Sequence, residues 1–374
     1  MPSSTALPVS WYFDPAVWAR EQVALFEAGP GYVGHAQAAP RSGDRSVSPI
    51  VGPGWLIVND GGHHRLVSNV CRHRQATIVD RCGTGRSLVC PLHRWSYDLD
   101  GSLRSAPRFG ELPPLGLPTR PVQEHRGLLF TGPRDVACDL APLGIDHLFT
   151  AEDWVRQHVE IERYEANWKT FVEVYLEDLH VGPFHPGLRG FTDCEQLRWT
   201  TAPWGSVQWV GVTAGLQRPG SPTYRRWHEH VARHSEPGEL TYSAVWATYY
   251  PNVTVEWYPH TMVVSTVVPE GPDRFTNVVE FFYPRDLLAS DPGFAPAQQA
   301  AYRETADEDR VIIERMQAGR GALQREGRDE RGPYQSPLED GLRHFHAFVR
   351  DRLTDGAEAG QATATLRRLL RCSS

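Results

Sequence analysis

Two short segments of this chain pair a cysteine with a histidine: Cys71-Arg72-His73 and Cys90-Pro91-Leu92-His93, with 16 residues between them. Each supplies one thiolate and one imidazole from a tight loop. A structural zinc finger instead contributes a cysteine pair and then a histidine pair. The alternation seen here suits a [2Fe–2S] cluster in which two thiolates hold one iron and two imidazoles hold the other. Thiolates suit the iron that stays ferric, and neutral imidazoles raise the potential of the iron that accepts the electron.

A second group of ligand-type residues lies in Asn167-Trp168-Lys169-Thr170-Phe171-Val172-Glu173-Val174-Tyr175-Leu176-Glu177-Asp178-Leu179-His180-Val181-Gly182-Pro183-Phe184-His185. On a continuous helix Glu173, Glu177 and His180 would share one face. Five helical residues would turn His185 about 140° away from His180. Gly182-Pro183 breaks the helix between the two, which allows the second ring to swing back toward the same metal. Two histidines and one carboxylate with open positions make the facial triad of non-haem Fe(II) oxygenases.

The stretch over residues 45–132, with its Cys-x-His and Cys-x-x-His loops, resembles the Rieske family. Rieske proteins of respiratory chains carry an additional cysteine in each loop; Ala76 and Leu92 stand there in this chain, so the resemblance is to the oxygenase and ferredoxin branch. Arg94 departs from the glycine usual after the second histidine. The Asn167-Trp168-Lys169 opening and the His180-x4-His185 end resemble the iron-binding segment of ring-hydroxylating and quaternary-amine Rieske oxygenases, with Val174 where many relatives have Asn. Asp307-Glu308-Asp309, followed by an apolar run and Glu314-x-x-Gln317, resembles the late helix of that family. The resemblance implies Cys71, His73, Cys90 and His93 as cluster ligands and His180, His185 and Asp309 as ligands of the mononuclear iron, with Asp307 and Glu308 as competitors for the third place. It also implies that Glu177 bridges His180 to the partner subunit's His93 and carries electrons between them.

The elements that must position these residues read as two domains, as 374 residues exceed one comfortable core. Short β-rich runs cut by turns from Trp55 to Gly132 form a small all-β module. Asp14 caps a helical pattern over 14–27; Pro133–Asp153 reads as a linker; strand-like runs occupy 205–213 and 241–284; helical patterns occupy 296–325 and 337–353. The C-terminal ATATLRRLLRCSS reads as a helical tail. The expected class is α+β: an all-β Rieske [2Fe–2S] domain over 46–135, preceded by a helical segment (1–45) that packs on the catalytic domain. The resemblance implies a catalytic domain, 150–374, of the helix-grip type, with a curved antiparallel sheet around a long helix.

The net charge of −7 supplies no basic footprint for nucleic acid, no apolar run approaches the roughly 18 residues of a membrane span, and the N-terminus lacks the pattern of an export signal. Cys82, Cys138, Cys194 and Cys372 read as free thiols in a reducing cytoplasm. Lys169 is the only lysine, a compact ammonium in a chain that otherwise uses arginine. The resemblance implies a cytoplasmic terminal oxygenase, a homotrimer. It would take O2 and electrons from NAD(P)H through a separate reductase or ferredoxin, and hydroxylate or N-demethylate a small quaternary or methylated amine. Trp204, Trp209, Trp246, Tyr249, Tyr250, Trp257 and Tyr258 are the aromatics that could build a cation cage. The alternatives are oxidation of an aromatic ring, tailoring of a larger metabolite and, if the second iron site is empty, electron carriage alone.

Overall fold

The computed structural model describes residues 6–149, 153–212, 220–235 and 242–354. The C-terminal tail and Cys372 lie outside the described residues. The chain divides into two units: Pro30–Ala137, and Met1–Gly29 together with Cys138–Ser374. Residues 30–45 therefore belong to the β-rich unit and not to the N-terminal segment. The reason is strand pairing: Tyr32–His35 pairs antiparallel with Leu128–Phe130, and Asp44–Val47 pairs with Trp55–Asp60.

In the β-rich unit a five-stranded sheet runs Gly83–Thr84, Asp44–Val47, Trp55–Asp60, His63–Ser68 and Thr119–Pro121 in spatial order. Asp60 and His63 face each other in register across Gly61-Gly62, whose positive φ angles of 63° and 94° a two-residue hairpin turn demands. A three-stranded sheet, Leu88–Val89, Ser96–Tyr97 and Leu103–Ser105, carries the second Cys-His loop. Leu56, Val58, Val67, Leu88, Trp95 and Tyr97 pack into one core with Cys71 and Cys90.

The larger unit is built on a seven-stranded antiparallel sheet, in the order Trp154–Tyr164, Phe275–Pro284, Thr261–Pro269, Val253–Tyr258, Ala244–Tyr249, Gly205–Val212 and Thr192–Ala202. Its central strands are buried except at their ends, as expected of a sheet covered on both faces. The 32-residue helix Phe294–Arg325 and the short helix Trp168–Tyr175 accompany the sheet. The described part of the segment read as a linker is folded up to Phe149: Leu140, Leu143, Ile145 and Phe149 are buried, and Phe149 sets its ring edge-on to Trp257 at 4.9 Å. Those apolar residues give short helical turns a core to pack on.

The Asn-Trp-Lys opening anchors the helix Trp168–Tyr175. Asn167 caps it, accepting from the Lys169 N–H at 3.0 Å, while its amide donates to the carbonyls of Tyr12 and Pro272. Lys169 Nζ lies 2.5 Å from Glu21 Oε1, both side chains being buried, and Trp168 Nε1 donates to the other oxygen of Glu21. The single lysine is thus one half of an interior ion pair rather than an exposed helix charge. The helix stops at Tyr175, two residues before Glu177, so Glu173, Glu177 and His180 do not share a helical face. Glu173 instead accepts hydrogen bonds from Tyr12, His346 and Arg320 in the interior.

Candidate metal centre and its cavity

After Leu176 the chain leaves the helix, and the Glu177 carboxylate forms the next turn. Its Oε2 accepts from the backbone N–H groups of Leu179 (2.9 Å) and His180 (3.3 Å), and its Oε1 lies 2.6 Å from His180 Nδ1. His185 follows the four-residue turn Val181–Phe184 and precedes Pro186–Arg189. The long helix brings Asp309 to both rings: its Oδ1 is 3.0 Å from His185 Nε2 and 3.4 Å from His180 Nε2. Among the described residues these three side chains form the group able to hold a metal ion, with all ligand atoms within 4.8 Å of one another.

Two observations test whether the group fits an iron. His185 Nε2 and Asp309 Oδ1 are buried and make no hydrogen bond despite their 3.0 Å separation. They aim at a common point and not along a donor–acceptor line. In addition, each imidazole is held from behind by a carboxylate: His180 Nδ1 by Glu177, and His185 Nδ1 by Glu308 Oε2 at 2.7 Å. A carboxylate on Nδ1 sets the tautomer that leaves Nε2 bare for a metal. Glu308, a competitor for the third ligand, is accounted for by this contact, and Asp307 is exposed.

The electrostatics agree. Burial lowers the His180 pKa, but the Asp309 and Glu177 carboxylates outweigh it and push the ring up to about 10. His185 is raised in the same way, by Asp309 and Glu308 against burial. Burial raises Asp309, yet the two facing rings hold it below the usual carboxylate range. Without a metal, the anionic surroundings draw protons onto the rings; a divalent cation supplies that positive charge instead.

The two Cys-His loops share one backbone pattern. The N–H of Cys71 donates to Ala76 O and that of Gln75 to Cys71 O; likewise Cys90 N–H donates to Trp95 O and Arg94 N–H to Cys90 O. Gln75 and Arg94, at equivalent places, have φ angles of 58° and 61°. The left-handed backbone at Arg94 is one that glycine, the residue the resemblance leads one to expect there, adopts without steric cost. Cys71 and Cys90 are buried, the rings of His73 and His93 lie 4.7 Å apart, and His73 Nδ1 is buried without a hydrogen bond. Trp95 stacks on His73 with an interplanar angle of 4°, and Tyr97 Oη stands 3.4 Å from Cys71 Sγ. Burial raises the Cys71 thiol, but hydrogen bonds led by Tyr97 lower it further, so its pKa falls below the usual thiol value. Two thiolates and two imidazoles with a free nitrogen fit a [2Fe–2S] cluster. Arg94 is exposed, so Arg94→Gly is expected to relieve the left-handed strain and stabilise this loop by about 1 kcal/mol. The check is a higher temperature for loss of the cluster's visible absorbance.

A cavity opens over the triad. It is lined by His180, His185 and Asp309, by Tyr164, Phe171, Tyr175, Tyr224, Trp227, Trp246, Tyr258 and Tyr302, and by the acidic residues Glu177, Asp178 and Glu256. Of the seven aromatics expected to form a cage, only Trp246 and Tyr258 reach it. Trp204 and Tyr250 pack on Phe348, Trp209 on Tyr242 and Trp257 on Phe149, while Tyr249 donates to Asp139. Strand alternation sorts them, since neighbouring residues point to opposite faces. Sequence reasoning missed Asp178 and Glu256. Glu256 had a signal, a lone charge in the apolar strand Val253-Thr254-Val255-Glu256-Trp257-Tyr258.

Comparison with known proteins bears on the whole chain. Residues 150–355 match the family described as "Ring hydroxylating alpha subunit (catalytic domain)", and residues 31–119 match the "Rieske [2Fe-2S] domain". The chain is 49% identical over 350 residues to putrescine 2-hydroxylase of Ralstonia nicotianae, covering 94% of this chain and 96% of the relative. It is 46% identical to putrescine 2-hydroxylase of Bordetella bronchiseptica (94% and 85% covered) and 26% identical to chloroplastic choline monooxygenase of Beta vulgaris (92% and 76%). In fold it is similar to a quaternary ammonium Rieske monooxygenase (TM-score 0.74, 20% identity, 94% and 95% covered). It is equally similar to naphthalene 1,2-dioxygenase of Rhodococcus (0.74, 17%, 93% and 94%). With both domain matches in chain order, a cluster-type pair of loops and a two-histidine, one-carboxylate centre, the chain belongs to the Rieske non-haem iron oxygenases as an α-subunit that uses a [2Fe–2S] cluster and a mononuclear iron.

Proposed function

We propose that this oxygenase hydroxylates a small aliphatic amine, with the diamine putrescine as its substrate, rather than the quaternary or methylated amine expected from the resemblance to choline and carnitine monooxygenases. One observation carries this reading: the cavity over His180, His185 and Asp309 combines aromatic walls with two buried carboxylates, Asp178 and Glu256, that belong to no described ion pair with Lys or Arg. A cavity of that kind fits a cationic substrate with N–H groups to donate. It is poorly matched to a neutral arene, for which two buried carboxylates would be a desolvation cost without return. The two putrescine 2-hydroxylases at 49% and 46% identity support the same choice.

The proposed ligands are Cys71, His73, Cys90 and His93 for the cluster and His180, His185 and Asp309 for the iron. When bound, the cluster supplies single electrons and the iron supplies O2 activation. The balanced reaction takes a substrate C–H bond, O2, two electrons and two protons to C–OH and water. NAD(P)H is the source of the electrons, through a separate reductase or ferredoxin. The protein's share is to exclude bulk water with the aromatic walls, to hold the imidazoles in one tautomer through Glu177 and Glu308, and to seat the amine. A cytoplasmic homotrimer, in which Glu177 of one copy meets the cluster domain of the next, completes the proposal.

The test is a product assay with the reconstituted protein, a surrogate reductase and NADH, comparing putrescine with choline, glycine betaine, carnitine and naphthalene by mass spectrometry. Putrescine is expected to gain one oxygen atom, labelled when 18O2 is used, and the others to release peroxide with little product. Product from choline or naphthalene and none from putrescine would reject the reading.

A further inference from the structure

We propose that Glu256 is the specificity-determining residue of this cavity: it takes one ammonium group of the substrate, and its reach sets the diamine length that brings a methylene to the iron. The proposal rests on the amine-hydroxylase reading above and adds the residue and the way it measures length.

Glu256 sits inside the strand Val253–Tyr258, opposite Trp246 on one neighbouring strand and Val263 on the other. Cross-strand partners share a face, and here the shared face is the cavity wall. The carboxylate is 3% exposed. A relay holds it: Trp246 Nε1 donates to Tyr258 Oη at 3.0 Å, and Tyr258 Oη donates to Glu256 Oε2 at 2.7 Å. Those two bonds orient one oxygen and leave acceptor capacity on the carboxylate. The groups acting on it from the surrounding elements are Tyr258 and Thr254 of its own strand, Tyr175 at the end of the short helix, and Tyr302 and Asp309 of the long helix. None of these is a cation. Burial accordingly pushes the carboxyl up to about 7, with the Tyr258 bond opposing. A buried carboxylate that accepts one oriented hydrogen bond, from Tyr258, but lacks a countercharge is matched by a ligand that brings one.

An independent observation points the same way. Asp178, also 3% exposed and also lining the cavity, has an Oδ2 atom without a hydrogen-bond partner. Beside the metal-facing group, the cavity therefore holds two interior carboxylates that no described Lys or Arg faces, a match for a molecule with an ammonium at each end. A primary ammonium can donate to Glu256 directly, whereas a quaternary nitrogen has no N–H to offer. Glu256 is not one of the three metal-facing side chains, so its removal leaves the iron site's own ligands in place.

The experiment uses the full-length protein with cluster and Fe(II) loaded. It compares the wild type with Glu256→Gln and Glu256→Asp on 1,3-diaminopropane, putrescine and cadaverine. Product formation is measured by mass spectrometry, and diamine binding by titration calorimetry. Glu256→Gln is expected to raise KM and the calorimetric Kd for putrescine about 100-fold, as breaking a buried charge pair does, with a smaller change in kcat and unchanged cluster absorbance. Glu256→Asp restores the charge but withdraws it by about 1.5 Å, one C–C bond, so the preferred substrate is expected to shift from putrescine to cadaverine. A purely structural Glu256 would not move the length preference. Unchanged KM and Kd in Glu256→Gln overturns the proposal. If that variant fails to fold, an unchanged length preference in Glu256→Asp overturns it. Putrescine turnover by the wild type with unresponsive variants sinks this inference alone, whereas a wild type that oxidises no amine removes the reading beneath it as well.

Discussion

Asp309→Ala is expected to lose mononuclear iron and all product formation while keeping the full [2Fe–2S] absorbance. Among the described residues, Asp309 is the carboxylate whose oxygen lies within 3.4 Å of both His180 Nε2 and His185 Nε2. Deleting it leaves two neutral imidazoles, too few and too weakly charged to hold Fe(II) in a facial site. The neighbours separate the possibilities. Asp307→Ala removes an exposed carboxylate and is expected to leave iron content and turnover unchanged. Glu308→Gln removes the carboxylate behind His185 Nδ1, so iron affinity should fall about 10–100-fold without being abolished. Iron per chain, counted after desalting and again at saturating Fe(II), measures all three. Full iron content and turnover in Asp309→Ala would show that the third ligand is misassigned.

Glu177→Gln is expected to slow oxidation of the reduced cluster in a single turnover by orders of magnitude. Cluster and iron should still bind at saturating Fe(II). The carboxylate serves three donors within its own chain, the ring of His180 and the N–H groups of Leu179 and His180, and it uses both oxygens. One lone pair on Oε1 remains for a donor from outside, the place that the resemblance gives to the partner subunit's His93. Glutamine keeps the size but has one accepting oxygen. If that oxygen stays on the turn, an NH2 group faces His180 Nδ1, and the ring loses the acceptor that held its tautomer. If it turns to the ring, the 179–180 turn loses its cap. Either way the carboxylate that the resemblance places between the two metal centres is gone. Stopped-flow measurement of cluster oxidation, started by O2 with substrate bound, gives the rate directly. A near-normal rate would reduce Glu177 to a turn-forming residue.

The local parts of this protein were legible from residue order. Cys71, His73, Cys90 and His93 sit in two loops of common backbone pattern, and His180 and His185 flank a Gly-Pro break, so their convergence depends on a few neighbouring dihedrals. Glu177 is three residues from His180 and reaches it through one turn. β-rich runs announced the inner strands of the seven-stranded sheet but not its edge strands Trp154–Tyr164 and Thr192–Ala202, and a capping Asp14, whose side chain accepts from Ala16 N–H at 2.7 Å, announced the first helix. The spacing around Glu173 misled, because periodicity supposes a helix that continues, and the bonds that end it at Tyr175 are not written in the pattern of apolar residues.

What only the tertiary structure decided lies where distant segments meet. Asp307, Glu308 and Asp309 are consecutive on one helix and point roughly 100° apart, so the packing of the helix Phe294–Arg325 against the rest of the unit selects Asp309 for the metal point and Glu308 for the back of His185. The same holds for the cavity wall. The aromatics of the sheet could be listed from sequence, but register and sheet burial determine that Trp246 and Tyr258 line the cavity while Trp257 and Tyr249 face away. Lys169 could be noticed as the only lysine, yet its role required Glu21, 148 residues earlier, to arrive at 2.5 Å. Residue types and short spacings therefore determined which chemistry this chain carries. Side-chain direction after packing, which no local pattern encodes, decided which carboxylate meets the two imidazole Nε2 atoms, which lie behind the rings, and which are left lining the cavity.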